Sequence, residues 1–302
     1  MPIVPAAPPQ PVPVYGGFDY VTVDAVNRRV YAAHGASRSL LIVDADSGNV
    51  LGQVRVGPMA GVAVNPANGH VFTGNGIGRS LSEVDPVAMK ELRSVDVAGP
   101  VDAIVFDAGL DRIYADEDDG TRIFVIDSKT FKQIGTITLP GHKPEYLAIN
   151  PKTHEVYQNI ANLSEMVVID PKTLKVSRTI KTPEIQSNHP LQYDPDFDQI
   201  LVGGSNGKLS VYSSAGALLH TIDIPARIDQ CNLDQQSHLL ACAGSGKITL
   251  IKNDGKTAPA IVGQVDVASG MHTLAIDPKS GDIFAVWATE SGDFIQRFNV
   301  KQ

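Results

Sequence analysis

No stretch of this 302-residue chain comes near the ~20 consecutive apolar residues that carry a helix across a bilayer, so no membrane span is expected. There is no basic run, and Lys and Arg (25) are outnumbered by Asp and Glu (33), giving a formal net charge of −8. Binding that rests on neutralising phosphates is therefore disfavoured, and no nucleic-acid partner is expected. Aromatic residues make up 6% of the chain, with a single Trp, so Val, Ile and Leu must fill the core. The usual chemical signatures are missing too. There is no G-x-S-x-G, no H-E-x-x-H, no P-loop and no dinucleotide fingerprint, and hence no expected nucleotide cofactor. The run Gly74-Asn75-Gly76-Ile77-Gly78 joins two strand-like segments rather than a strand and a helix, which sets it apart from a phosphate loop.

What the chain does contain is a repeat. An Asp or Asn marker followed by a turn recurs at Asp24, Asn65, Asp107, Asn150, Asp194, Asp234 and Asp277, at intervals of 41, 42, 43, 44, 40 and 43 residues. A period in this range marks an array. Each unit has a common grammar. A short apolar run such as Val62-Ala63-Val64 precedes the marker, and a turn such as Asn65-Pro66-Ala67-Asn68-Gly69 follows it. A second strand carries Val71-Phe72 or Ile113-Tyr114, and a third ends on Asp44, Asp85, Asp127 or Asp170. A fourth alternates, as in Thr136-Ile137-Thr138-Leu139. Four short strands per ~40-residue unit read as propeller blades.

The first strand appears seven times, but the last unit stops after its third, Phe294–Phe298. The N-terminus carries an orphan, Val12-Pro13-Val14-Tyr15, that matches the end of a fourth strand. The expectation is an all-β, seven-bladed β-propeller over residues 11–302, with blade seven closed by the N-terminal strand and residues 1–10 a Pro-rich lead. Pro11 and Pro13 suit an edge.

The repeat resembles the YVTN-type β-propeller family. Val71-Phe72-Thr73-Gly74-Asn75 is its nearest approach to the motif, and the turn recurs at Asn65-Pro66, Asn150-Pro151, Asp194-Pro195 and Asp277-Pro278. The Pro that the family often places before the first strand stands only at Pro144. The resemblance spans the whole chain and implies the fold. For function it implies a range, from scaffolding and ligand-binding proteins to the lactonases and lyases hosted by related propellers.

Antiparallel alternation puts the turns between strands one and two on one face of the ring. The two–three loops and the inter-blade connections lie on the other, around the mouth of the central channel, where small-molecule sites favour concavity. His70, His154 and His238 fall on the first face and His220 on an outer strand, all read as solvated, while His34, His142, His189 and His272 fall on the second. The residue five positions ahead of each marker is Asp19, Ala60, Asp102, Glu145, His189, Asp229 and His272, six of seven ionisable. Acids and imidazoles crowded together shift one another's pKa. His189, His272 and Asp229, with Glu145 and Asp102, are the candidate acid–base groups. His189, His272, Asp229 and Asp19 are the candidate ligands of a divalent metal ion.

Arg38 and Arg79 occupy matching two–three loops beside the gap at Ala60 and would clamp an anionic group on a small-molecule ligand. Phe18, His34 and Trp287 would contribute to the ligand-facing rim, although Trp287 serves equally well as a plug between blades. Asp116-Glu117-Asp118-Asp119-Gly120 reads as a solvated acidic turn. The functional expectation is a small-molecule enzyme at the channel mouth, metal-assisted, of lyase or lactone-hydrolase type. The alternative is a non-catalytic binding module for a protein or cell-envelope partner. A monomer is expected.

Cys231 and Cys242 fall on the first and second strands of unit six. If Asp234 pairs with Leu239 they face one another, with opposed Cβ atoms ~4.5–5.5 Å apart. A disulfide, which would indicate an oxidising compartment, and two buried thiols both remain open. Residues 1–10 lack a basic n-region and an apolar h-region. They look like the lead of a mature periplasmic or secreted chain whose signal has been removed, with a cytoplasmic location the alternative.

Overall fold

Every marker makes the same turn. The side-chain oxygen of Asp24, Asn65, Asp107, Asn150, Asp194, Asp234 or Asp277 accepts the backbone N–H two residues on, at 2.9–3.2 Å. Four residues past each marker the backbone turns left-handed, at Arg28, Gly69, Asp111, His154, Asp198, His238 and Gly281, with φ between 51 and 75°. Asx side chains that bond their own backbone are what make such turns form locally. The aspartates ending the third strands repeat the device, with Asp44, Asp85, Asp127 and Asp170 accepting N–H groups of the three–four turns.

These turns connect a ring of seven antiparallel sheets, identified here from a computed structural model that describes residues 1–13 and 15–301. Blade one comprises Val21–Asp24, Arg29–His34, Ser39–Asp44 and Val50–Arg55. Blades two to six follow the same order, and blade seven contributes Thr273–Ile276, Ile283–Thr289 and Gly292–Val300. Each first strand lies beside the first strands of its two neighbours, so these strands line the axis. The core is divided accordingly. Most apolar clusters lie between successive blades, such as Leu201, Val211, Ile228 and Leu240 between blades five and six. Aliphatic side chains dominate them, as the scarcity of aromatics requires.

Blade seven is completed from the N-terminus, in two pieces. Gln10–Val12 pairs with Asp293–Ile295, and Ile3–Pro5 pairs with Phe298–Val300, both antiparallel. The pairing reaches further back than the orphan strand seen in the sequence, so part of the Pro-rich lead belongs to the sheet. Val14, counted in that strand, lies outside the described residues. A buried clasp sits at the same seam. His34 Nε2 in blade one lies 2.5 Å from Asp293 Oδ2 in blade seven, with both side chains fully enclosed. The same carboxylate oxygen accepts the N–H groups of Gly16 and Gly17 at 2.7 and 2.9 Å.

The histidines of the one–two turns are not free in solvent as expected. His154 Nδ1 bonds Asp107, and His238 Nδ1 bonds Asp194, each the marker of the preceding blade, at 3.0 and 2.9 Å. Arg28 does the same to Asp277. The left-handed position aims its side chain back across the seam, so these residues staple blade to blade. His70 instead bonds Glu83 within its own blade, at 2.8 Å.

Cys231 and Cys242 stand opposite one another in the ladder and form a disulfide, with Cα atoms 4.1 Å apart. That spacing belongs to a non-hydrogen-bonded pair, where side chains approach most closely. Both residues are buried, so reductant should reach the bond only on unfolding. Replacing both by Ser is expected to lower the unfolding free energy by about 2–3 kcal/mol, read from urea titrations.

Candidate functional site

The residues leading into the first strands reach the axis because the ladder slips there. Register shifts fall between Met59 and Val62, Val101 and Ile104, Glu145 and Leu147, Asn188 and Leu191, and Ile228 and Gln230. Ala60, Asp102, His189 and Asp229 lie inside these irregularities, and Glu145 borders one. A bulge bends the strand and re-aims a side chain. In this fold it turns the ring residues into the mouth. The floor beneath them is aromatic. Tyr20 and Tyr146 meet at 5.3 Å between centroids, tilted 52°, and Tyr146 Oη donates to the carbonyl of Cys231 at 3.2 Å. Tyr146 is the extra residue of the blade-four bulge and has φ of 60°, a left-handed conformation costly for an aromatic residue. With the tyrosines across it, the channel becomes a basin.

One half of the basin is a continuous chain of ion pairs. His189 Nε2 lies 3.0 Å from Glu145 Oε2 and 3.1 Å from Asp229 Oδ1, and His272 Nδ1 lies 2.5 Å from Asp229 Oδ2. Blades four to seven each supply one member. Burial works against a charge on His189, but the bond to Glu145 and the charge of Asp229 outweigh it and hold the imidazole up at about 9. His272 is raised through its bond to Asp229. Burial would raise Asp229, yet the His272 bond and the two imidazoles bring its carboxyl below the usual range. At neutral pH this half holds the His189 imidazolium beside ionised Asp229, with His272 biased toward its charged form by the same carboxylate.

The other half, from blades one to three, is acid without base. Asp19 is pushed up to about 7, first by burial and then by the charge of Asp229, with the histidines acting the other way. Its side chain accepts a single long contact, 3.4 Å from Gln230 Nε2. Asp102 is raised well above its ordinary value by burial and by the neighbouring Asp116, Asp19, Glu145 and Asp118. Asp116 is raised by burial as well. It is not part of a solvated turn: it is the last residue but one of the strand Arg112–Glu117, is fully buried, and accepts the Ala103 N–H at 2.7 Å and the Gln158 Nε2–H at 3.0 Å. Glu117 of the same run is tied to Arg122. Between this half and Ala60 opens a cavity of ≈ 310 Å³, lined by Asp19, Asp102 and Asp118 and walled by Met59, Ile77 and Val101.

The rim residues named from sequence separate into two sets. Arg38 and Arg79 do occupy equivalent exposed left-handed positions, φ 63 and 49°, but neither lines the cavity. Phe18, His34 and Trp287 are buried. Phe18 stacks on His34 at 4.5 Å inside the blade one–seven seam, and Trp287 stacks on Phe294 within the core between blades six and seven. They hold blades together and present no face to a ligand. Trp287 is the plug rather than the stacking platform.

The four ring groups weighed as metal ligands do not converge. Both imidazoles spend a ring nitrogen on the two oxygens of Asp229, so an ion there would have to displace those pairs. Among the described residues, the one trio whose donor atoms all lie within 4.8 Å of one another is Asp194, Asp196 and His238, on the opposite face.

No protein-family model matches the chain, and no curated protein matches it in sequence at a significant level. The YVTN resemblance therefore stands on its motifs alone. Solved structures match over nearly the whole length. One is hydrazine synthase of Kuenenia stuttgartiensis, at 15% identity and TM-score 0.80, covering 95% of this chain and 96% of that one. Another is a chain of the mitotic checkpoint complex, at 15% identity and TM-score 0.83, covering 99% and 92%. A third is the β-propeller domain of Cps50 (Swd1) from Myceliophteria thermophila, at 12% identity and TM-score 0.77, covering 97% and 100%. Likeness at this identity establishes the seven-bladed propeller and nothing finer. Among the described residues, no helix is long and apolar enough to cross a membrane.

Proposed function

We propose that the basin is the active site of a small-molecule enzyme that works by proton transfer, of lyase or lactone-hydrolase type. The observation that carries this reading is the opposition of its two halves. Asp19, poised near neutrality beside a cavity, faces a chain of charged histidines fixed by Asp229 and Glu145. A general base works best when its pKa lies near the operating pH. In this scheme Asp19 accepts a proton from the substrate carbon or from an attacking water. His189, held as an imidazolium, returns a proton to the departing oxygen, and His272 is biased toward the same role by its bond to Asp229. Asp229 is a positioning residue that holds both rings, and Glu145 assists it at His189. Burial and the charges of Asp229 and Glu145 keep Asp19 from ionising early.

A panel of lactones and of substrates bearing a leaving group β to a carbonyl, assayed from pH 5 to 9, tests the reading. Turnover with a limb near pH 7 that disappears in Asp19→Asn is the expected result. Absence of turnover above the buffer rate for every substrate and pH would sink it. That outcome would favour the second reading, a binding module, which has one point in its favour: one of the solved neighbours comes from a multi-protein complex. The disulfide supports an oxidising location, periplasmic or secreted.

A further inference from the structure

We propose that Gln230 is a positioning residue of the basin, one that orients the Asp19 carboxylate and sets its place relative to His272. The proposal rests on reading Asp19 as the base, and its test separates the two.

The sequence carries a signal here. The residue four positions ahead of each marker is Tyr20, Gly61, Ala103, Tyr146, Pro190, Gln230 and Thr273. Blades two, three and five place Gly, Ala or Pro there. Blades six and seven place an amide beside a hydroxyl, and both residues are buried. Burying polar groups costs free energy unless they are bonded, and packing alone is served by the small residues of the other blades. These two are bonded to one another. The Thr273 hydroxyl donates to Gln230 Oε1 across the seam between blades six and seven. With Oε1 taken, the amide presents Nε2 the other way, where it donates to Asp19 Oδ1 at 3.4 Å. The reverse orientation would set Oε1 against a carboxylate, acceptor facing acceptor. Thr273 therefore selects which end of the amide Asp19 meets.

The reach of this contact gives it a role. Gln230 stands in blade six and Asp19 in blade one, so the amide spans blade seven. Among the described residues no other side-chain hydrogen bond reaches the Asp19 carboxylate, which leaves Oδ2 to take the proton. The residue before Gln230 is Asp229, whose Oδ2 holds His272 Nδ1. The Gln230 N–H also donates to the His272 carbonyl, at 3.3 Å. One dipeptide thus grips the imidazole by a side chain and a backbone bond, and the base by the next side chain. Glu145, His189, Asp229 and His272 are the charged groups that act on Asp19 from blades four to seven, and Asp102 crowds it from blade three. Tyr20 and Tyr146, beneath, stay neutral. Gln230 is the neutral donor in this set. A donor to the ionised form favours that form, so the amide offsets part of the burial and steers the carboxylate without adding charge.

The test is a pH titration of the full-length protein by NMR, observing the Asp19 carboxyl and the Gln230 side-chain amide together. In the wild type the amide signal should move with the Asp19 midpoint. Gln230→Leu should raise that midpoint by roughly one pH unit, for loss of a donor to the charged form, and leave the His189 midpoint in place. Thr273→Val keeps the shape and frees the amide to turn. It should raise the Asp19 midpoint part of the way, and Thr273→Ser should restore it, which protects the test against a poorly folded Leu variant. Turnover in the basin should show kcat lowered about tenfold in Gln230→Leu with KM within about twofold, and a pH limb that moves with Asp19. A midpoint unchanged in both Gln230→Leu and Thr273→Val would overturn the proposal. So would a rise in Thr273→Val that Thr273→Ser fails to reverse, because the pair would then serve packing alone. The expected midpoints without turnover of any substrate would count against the proton-transfer reading and leave this one standing.

Discussion

Asp293→Ala should lower the unfolding free energy by about 3–5 kcal/mol, since each buried donor left without its acceptor costs ~1–3 kcal/mol. The carboxylate is wholly enclosed and serves three donors, His34 Nε2 and the N–H groups of Gly16 and Gly17. Truncation leaves all three without an acceptor inside the seam between blades one and seven. Nothing can move in to replace it. A Cβ at Gly16 would already lie 2.4 Å from the Ser37 nitrogen, so the N-terminal segment has no room to shift. Urea titrations measure the loss. Hydrogen exchange should also show residues 3–17 losing protection ahead of the other blades, since the clasp holds that segment to the ring. A loss below about 1 kcal/mol, or uniform exchange, would mean that strand pairing alone closes the propeller.

The basin makes a second large prediction, that stability falls as pH rises from 5 to 8. Asp19 moves from 3.8 in the unfolded chain to about 7 in the fold, and His189 moves from 6.5 to about 9. Asp102, Asp116 and His272 are raised as well. In each case the folded state binds protons more tightly than the unfolded state. For Asp19 the resulting stability is full below about pH 4 and is lost as pH rises through about 7, and for His189 it is full below about 6.5 and lost through about 9. One excess proton corresponds to ~1.4 kcal/mol per pH unit, so the fall is on the order of 3 kcal/mol across that window. Asp229 and the turn aspartates Asp44, Asp85, Asp127 and Asp170 are lowered, and their contribution disappears only in acid. Maximum stability should therefore lie near pH 5. Asp102→Asn should flatten the decline and stabilise the protein at pH 8. A wild-type curve that is level from pH 5 to 8 would show the acids of this half to be ionised without cost.

The architecture was legible because its signal is local and repeated. Seven Asx turns at a steady interval dictate seven sheets, and the missing fourth strand at one end identifies the orphan at the other. The ring at the mouth was legible for the same reason: register places the residue before each first strand on the axis. The sequence does not show who pairs with whom there. Blade order places His189 between Glu145 and Asp229, but spacing does not say whether side chains from neighbouring blades close on one another or which nitrogen meets which oxygen. Asp116 was missed because it sits in a run of acids that looks solvated. The register did carry a hint, since the equivalent positions are Ala33, Gly74, Asn159, Gly203, Ala243 and Val286, mostly small residues and all buried. A carboxylate in such a place is buried. His34 and Asp293 lie 259 positions apart, and nothing local in either stretch announces the other.

The two-piece outer edge of the seventh sheet also sets an order of events during synthesis. Ile3–Pro5 and Gln10–Val12 leave the ribosome before every other strand of the ring, yet their partner, Gly292–Val300, follows all of them. These early strands must wait, unpaired, while the other six sheets form. Contacts this distant along a chain are slow to close, and a solitary strand edge in the meantime is open to strangers. The prolines at 5, 8, 9, 11 and 13 keep that waiting segment a poor template for other chains until its own comes round.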